Sequence, residues 1–140
     1  MTKLSVNVAS FFPYSEVRPF QGEFIKTVSD AAEDGCSVLI EGCNGLGKTI
    51  AALAACLPRA LEKNFKVLYV ARTHRQHDRV IEELKAISRK QKISGLSIRG
   101  RHEMCLNQFV TSRAQDARAV MEVCELLKSQ EQMPILQKYR

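Results

Sequence analysis

Residues 42–49 read Gly-Cys-Asn-Gly-Leu-Gly-Lys-Thr and match the pattern G-x-x-x-x-G-K-[ST] at every fixed position. This pattern predicts a loop whose backbone N–H groups converge on phosphate oxygens, because glycine allows positive φ and close approach of the backbone. A helix should follow, with its positive N-terminal end facing the phosphates. In the candidate catalytic roles, Lys48 is expected to reach the β- and γ-phosphates of ATP and the Thr49 hydroxyl to bind Mg²⁺. The residues predicted to contact nucleotide here are Gly42, Cys43, Asn44, Gly45, Leu46, Gly47, Lys48 and Thr49.

The flanks of this loop agree with that interpretation. Residues 37–40 form a short apolar run of strand length, and residues 49–57 are rich in helix formers. The alternative is a chance glycine-rich turn before an ordinary helix. Residues 66–71 are apolar on both faces, as a buried parallel strand would be. Two strands joined through a helix make a right-handed βαβ unit, so the sequence predicts an α/β fold with a parallel sheet and flanking helices.

Hydrophobic spacing and breaker residues predict four helices. The first spans about residues 19–33 and stops at Gly35, and the second runs from about 47 to the low 60s with a kink or early end at Pro58. The third begins near Gln76, and the fourth covers about residues 118–128. A short strand is expected at residues 96–98.

The positive charge of the chain is concentrated in one stretch. The formal net charge is +6, and residues 72–101 hold nine Lys or Arg against three Asp or Glu while the rest is balanced. A localised basic stretch beside a nucleotide site suggests a polyanionic partner, most plausibly nucleic acid. A solvated basic helix face is the alternative.

No stretch of the 140 residues approaches the ~20 apolar residues that cross a bilayer, and no export signal is apparent at the N-terminus. Five cysteines, an odd number, then favour an intracellular protein with reduced or metal-bound thiols, cytoplasmic or, in a eukaryote, nuclear.

Four motifs in order resemble the N-terminal part of the XPD-type iron–sulfur DNA helicases of superfamily two, relatives of FancJ and DinG. They are Arg18-Pro-Phe-Gln at 18–21, Glu-Gly-Cys-Asn-Gly-Leu-Gly-Lys-Thr at 41–49, Ala-Arg-Thr-His-Arg-Gln at 71–76, and Gly-Arg-His-Glu-Met-Cys at 100–105. Cys43 and Asn44 depart from the family's commoner loop residues. The resemblance covers roughly residues 11–128.

The resemblance implies a RecA-like motor domain, a [4Fe–4S] cluster insertion, and 5′-to-3′ unwinding of DNA at the expense of ATP, with a role in DNA repair. Residues 1–99 would be the start of the first motor domain, and residues 100–140 the start of the cluster domain. Arg18 and Gln21 would bind nucleotide, with Gln21 on the adenine. The residues implied to lie along single-stranded DNA are Arg72, Thr73, His74, Arg75 and Gln76.

On the same resemblance, Cys105 and Cys124 would be the first two thiolate ligands of the cluster. A cluster of this kind takes four ligands, so this chain is not expected to hold one alone. From the residues alone, the alternative is that both cysteines are partly buried thiols that behave as small hydrophobic side chains. A zinc site from His102, Cys105 and Cys124 is a third alternative that lacks paired C-x-x-C spacing.

ATP hydrolysis also needs an acidic pair that holds Mg²⁺ and orients water, and no apolar run after residue 50 ends in Asp-Glu. With that Walker B element and the second motor domain absent, the chain alone is expected neither to hydrolyse ATP at a useful rate nor to unwind DNA. Two other functions remain open at this point: a small P-loop kinase for a nucleotide or metabolite, and a truncated, non-catalytic remnant that binds nucleotide or DNA.

Overall fold

The computed structural model describes residues 5–100, 102–114 and 116–130. Helices account for all of the regular secondary structure in these ranges: α1 Val6–Phe11, α2 Gln21–Asp34, α3 Lys48–Glu62, α4 His74–Ser88, α5 Gln108–Arg113 and α6 Ala117–Ser129. The chain divides into two compact units between Ser97 and Ile98. Within the described ranges, no helix has the length and apolar character needed to cross a membrane. The predicted division into domains at residue 99 stays a prediction.

Helix α3 is the centre of the first unit and packs against α1, α2 and α4. Alanine is the best helix former, and α3 is rich in it. Its small side chains also let neighbouring helices approach closely. The helix continues through Pro58 to Glu62, so it ends in the low 60s as predicted, and an early end at this proline is excluded. The buried residues of α3 are Ile50, Ala51, Leu53, Ala54, Ala55, Leu57 and Ala60.

Helices α2 and α4 lie close to where the sequence predicted them. Helix α2 ends at Asp34, and Gly35 is its C-cap. Gly35 has φ 69°, a left-handed conformation that glycine adopts without strain. Ile25 is buried against the core, with Phe24 and Val28 packed beside it. Helix α4 presents Val80 and Ile87 to the same core.

The predicted parallel sheet is wrong for the part of the chain that the structure describes, because residues 37–41 and 66–71 form no strand there. A β-strand exists only through hydrogen bonds to a neighbouring segment. No backbone hydrogen bond joins these two described segments. Their apolar side chains also lie in solvent: Leu39 is fully exposed, and Leu68 is 84% exposed. The described chain is therefore helical, and the α/β assignment is corrected.

The strand expected at residues 96–98 is also wrong, since these residues have no regular secondary structure and Leu96 and Ile98 are exposed. In the second unit, α5 and α6 pack together around Val110, Val120 and Leu127. Asn107 caps α5 by accepting hydrogen bonds from the N–H groups of Phe109 and Val110, and Asp116 caps α6 at Ala119. Helix α6 confirms the helix predicted at 118–128, whereas α1 and α5 were not predicted.

Candidate functional site

The glycine-rich loop at residues 42–47 leads directly into α3, as its sequence requires. Gly47 is the N-cap of this helix, with φ 79° and ψ 38°, and it offers no side chain to cap the first turn. The first N–H groups of a helix lack partners within the helix. A left-handed residue followed by a helical one forms a concave arrangement of N–H groups that binds anions. The loop therefore suits a phosphate group.

Lys48 arches back over this loop. Its ammonium Nζ donates hydrogen bonds to the carbonyl oxygens of Gly42 and Cys43, both at 2.8 Å. A Cβ atom on Gly42 would lie 3.2 Å from Cδ of Lys48 and 3.0 Å from Cδ2 of Leu46, so the loop has little room for a side chain there. The positive charge of Lys48 is thus held at the loop that precedes α3, where it adds to the attraction of a helix N-terminus for an anion.

Arg18 and Gln21 contact the same loop through hydrogen bonds to two of its carbonyl oxygens. The Arg18 guanidinium donates to the carbonyl oxygen of Gly45. Gln21 Nε2 donates to the carbonyl oxygen of Gly47 at 3.3 Å, and its Oε1 accepts from the backbone N–H of Arg18 at 3.0 Å. Phe20, between them, has φ 63° and is 71% exposed. The structure thus joins the Arg-Pro-Phe-Gln motif to the phosphate loop, and the adenine contact of Gln21 stays a prediction.

An open cavity of about 790 Å³ is lined by the start of α3, by residues 69–73 and by α4. Its size falls within the range of small-molecule sites. Lys48 and Thr49 line it from the phosphate loop, and Thr49 is half-buried. The charged residues that line it from the α4 side are Arg72, Arg75, Asp78, Arg79 and Glu82. A nucleotide held at the loop would have the cavity as space for the rest of the molecule.

The segment predicted to contact DNA forms the beginning of α4. Thr73 is the N-cap: its hydroxyl accepts from the N–H of Gln76, and Gln76 Oε1 accepts from the N–H groups of Arg72 and Thr73. This capping box uses the side chains of two predicted DNA-contacting residues to start the helix. The side chains of Arg72, His74 and Arg75 are exposed at this end of α4.

A second polar cluster includes Arg79, which also lines the cavity, and it was not predicted from the sequence. Glu83 is 2% exposed, and its two carboxylate oxygens accept from Arg79 Nη2 at 2.9 Å and from the Tyr14 hydroxyl at 2.7 Å. The hydrogen bond to Glu83, then burial, raise the pKa of Tyr14 above its usual value. The four-residue spacing of Arg79 and Glu83 on a helix was the available signal. This buried carboxylate fixes Arg79 on the wall of the cavity.

The two cysteines assigned to a cluster lie in the second unit. Cys124 is buried on α6, and Cys105 is partly buried against the apolar cluster of Val110, Val120 and Leu127. No group of three or more His, Cys, Asp or Glu that could hold a metal occurs among the described residues. The described residues therefore do not provide a fit for a four-ligand cluster or for the zinc site, and the ligand roles stay predictions.

Among the comparisons with known proteins, the match to a family model falls in the C-terminal half of the chain. The DEAD_2 family model matches residues 69–137, which include α4, α5 and α6. The chain is similar to the "General transcription and DNA repair factor IIH helicase subunit XPD" of Arabidopsis thaliana, with 28% identity over 129 residues. That alignment covers 84% of this chain and 17% of the relative.

A yeast relative gives a similar result. The "General transcription and DNA repair factor IIH helicase subunit XPD/RAD3" of Saccharomyces cerevisiae is 24% identical over 123 residues, covering 81% of this chain and 16% of the relative. The chain therefore spans about a sixth of the length of these two proteins. No solved structure matches it.

Proposed function

We propose, from the premise that this chain is a relative of the XPD-type helicases, that it is the nucleotide-binding part of an ATP-dependent DNA helicase. The resemblance predicted from the four sequence motifs is confirmed by the family match and by both curated relatives. These matches do not favour a small P-loop kinase. ATP with Mg²⁺ is the proposed ligand of the phosphate loop, and single-stranded DNA the proposed partner of the basic end of α4. A role in DNA repair is proposed from the names of the relatives.

The observation that carries the nucleotide proposal is the arrangement at Gly47 and Lys48. An uncapped helix of 15 residues begins at a left-handed glycine, and a lysine ammonium lies over the loop that precedes it. Backbone N–H groups, the helix dipole and a cation all favour the same ligand, an anion. The cavity beside them takes a molecule larger than inorganic phosphate. Thr49, which lines the cavity, is the proposed Mg²⁺ ligand.

The chain alone is proposed to bind ATP without rapid hydrolysis. Phosphoryl transfer depends on positioning and on charges around the γ-phosphate, so each absent group lowers the rate by orders of magnitude. The acidic residues of the cavity, Asp78 and Glu82, lie on α4 and do not form an adjacent Asp-Glu pair. When bound, Mg²⁺ would supply charge neutralisation at the β- and γ-phosphates. This chain's own residues hold the triphosphate and its orientation.

The test of this proposal is to titrate the whole chain with Mg-ATP, Mg-ADP and AMP and to measure each dissociation constant by isothermal titration calorimetry. We expect affinity to fall in that order, because the loop and Lys48 contact the β- and γ-phosphates and AMP has neither. The affinity for ATP should exceed the affinity for AMP at least tenfold, since each hydrogen bond to a charged group contributes about 1.5–3 kcal/mol. Equal affinities for ATP and AMP, or no binding of ATP, would refute the proposal.

The DNA proposal rests on the exposed arginines at the start of α4. The net positive charge of the chain is concentrated in this region, and Arg75 lies in the first turn of the helix. Cations that contact phosphates release counterions from DNA, so affinity falls as salt rises. We propose Arg72 and Arg75 as contacts to the DNA backbone, while Thr73 and Gln76 hold the helix end that presents them.

Arg75→Ala is expected to weaken binding of single-stranded DNA at every sequence. It should also reduce the slope of log K against log salt by about 0.7, the value for one single-strand phosphate contact. Fluorescence anisotropy of a labelled oligonucleotide at several salt concentrations gives this slope. Arg89→Ala is the matched control, because it removes the same charge at the exposed C-cap of the same helix. Equal slopes for the two variants would contradict the assignment of Arg75.

A further inference from the structure

Glu83 is the one buried carboxylate among the described residues, and the proposed nucleotide site does not use it. The Tyr14 hydroxyl donates to its Oε2 at 2.7 Å, and Arg79 Nη2 forms an ion pair with its Oε1 at 2.9 Å. A buried charge costs free energy to desolvate, and apolar residues in place of such a pair are often as stable or more so. Stability of the fold therefore does not explain this pair, and its effect on Arg79 is the feature to account for.

Arg79 extends from this buried pair to the open cavity. Its side chain is 57% exposed, whereas that of Glu83 is 3% exposed. Arg79 lines the cavity together with Lys48 and Thr49 of the phosphate loop. An arginine on a helix surface has many rotamers, and the ion pair to the residue one turn later restricts them. The positive charge of Arg79 is thus held on the wall of the cavity that Lys48 also lines.

The guanidinium of Arg79 keeps donors for a ligand. It has five N–H groups in a planar fork, of which Nη2 faces Glu83 and Nη1 pairs with Glu82 at 3.4 Å. The side chain of Glu82 is 66% exposed, and a pair at such a position contributes little, so an anionic ligand can displace it. The planar fork also matches the geometry of phosphate oxygens. Arg79 can therefore bind a phosphate group while Glu83 holds it.

The charge of the cavity wall favours a ligand with several negative charges. Cations outnumber carboxylates in the lining that the structure describes, and the charged residues are Lys48, Arg72, Arg75, Arg79, Asp78 and Glu82. Excess positive charge in a cleft attracts anions. The ligand proposed here, a nucleoside triphosphate, carries its negative charge along a chain of phosphates, and one lysine at the loop neutralises only part of it. A further cation on the wall completes the site for this class of ligand.

We infer that Arg79 is a second phosphate-contacting residue of the cavity, placed on α4 and held there by its ion pair with Glu83. This inference rests on the proposed nucleotide site and deepens it, because it adds a cation from outside the phosphate loop. Arg79 follows the segment proposed to contact DNA, residues 71–76, and is assigned to the polyphosphate chain of the nucleotide. The two assignments lead to different results in binding experiments.

The experiment compares two variants of the whole chain, Glu83→Gln and Arg79→Ala combined with Glu83→Gln. Arg79→Ala alone would leave a buried carboxylate without its cation, which is strongly destabilising. The glutamine removes that charge and keeps an oxygen for the Tyr14 hydroxyl. Titration with Mg-ATP and with Mg-tripolyphosphate should show both affinities at least tenfold lower in the combined variant than in Glu83→Gln, the effect of one lost charged hydrogen bond. Thermal melting checks that both variants are folded.

Lys85→Ala combined with Glu83→Gln is the matched control. Lys85 is exposed on the same helix and is not among the residues that line the cavity, so the control removes the same charge and should keep both affinities. Equal affinities in Glu83→Gln and the combined Arg79 variant would overturn the inference and leave the phosphate loop as the site. Loss for Mg-ATP alone would overturn it too, since Arg79 would then contact the nucleoside.

Binding of single-stranded DNA gives an independent reading on the same variants. The slope of log K against log salt should be equal in Glu83→Gln and in the combined Arg79 variant. A slope lower by about 0.7, with unchanged affinity for Mg-ATP, would assign Arg79 to a DNA phosphate and refute the inference. If the unaltered chain binds neither Mg-ATP nor Mg-tripolyphosphate, the proposed nucleotide site itself fails, and the inference fails with it.

Discussion

Replacement of Lys48 by alanine should abolish measurable binding of Mg-ATP to this chain. The lysine is expected to contact the β- and γ-phosphates, and each hydrogen bond between charged groups contributes about 1.5–3 kcal/mol, so the loss of two weakens binding by roughly 10²- to 10⁴-fold. Calorimetric titration of the variant beside the unaltered chain measures this loss. The free energy of unfolding should change by less than about 1 kcal/mol, because water can replace the ammonium at the two loop carbonyls.

Lys63→Ala is the control for this variant. Lys63 is the C-cap of the same helix, pairs with Glu62 at 3.7 Å and is half exposed, so its removal changes the net charge equally at the opposite end of α3. ATP affinity should be retained in this variant. If Lys48→Ala and Lys63→Ala bind ATP alike, the loop does not hold the triphosphate and the proposed site is wrong.

The difference between the helices and the expected strands shows what the sequence of this chain can determine. A helix closes its hydrogen bonds within a few residues, so the composition and spacing of residues 48–62 suffice to predict α3. A strand closes its bonds with a distant segment. Residues 37–41 and 66–71 have the composition of buried strands, yet in the described chain they have no ladder partner and Leu39 is fully exposed. The local sequence pattern of a segment does not show whether another segment pairs with it.

The sequence predicted the residues of the phosphate loop but not the contacts that distant residues make with the loop and with α4. The motif at residues 42–49 indicated the glycines, the lysine and the helix start, because these depend on local backbone geometry. The contact between Gln21 and Gly47 spans 26 residues, and the one between Tyr14 and Glu83 spans 69, so neither is visible as a spacing. Thr73 and Gln76 show the opposite case: their three-residue spacing is that of a capping box, which competes with the assignment of these side chains to DNA.

Gly47→Ala should combine a large loss of stability with a loss of ATP binding. At φ 79° an alanine is strained by about 1–2 kcal/mol, and its Cβ would lie 2.5 Å from Gln21 Nε2, so the buried amide must move at a further cost of about 1–3 kcal/mol. Denaturant unfolding should therefore show a loss of about 2–5 kcal/mol. Displacement of the loop should also lower ATP affinity in the same variant, by at least the roughly fivefold effect of one lost hydrogen bond.

Gly35→Ala separates the two causes. Gly35 has φ 69° with no atom within 4 Å of an added Cβ, so this variant carries the backbone strain without the clash. It lies at the end of α2, outside the phosphate loop. It should lose about 1–2 kcal/mol and keep its ATP affinity.

In a background of Gln21→Ala the clash at residue 47 is relieved, so the cost of Gly47→Ala should fall by about 1 kcal/mol or more. Strictly additive costs in that double-mutant cycle would mean that Gln21 and Gly47 do not constrain each other, and the loop would then take its shape from its own glycines alone.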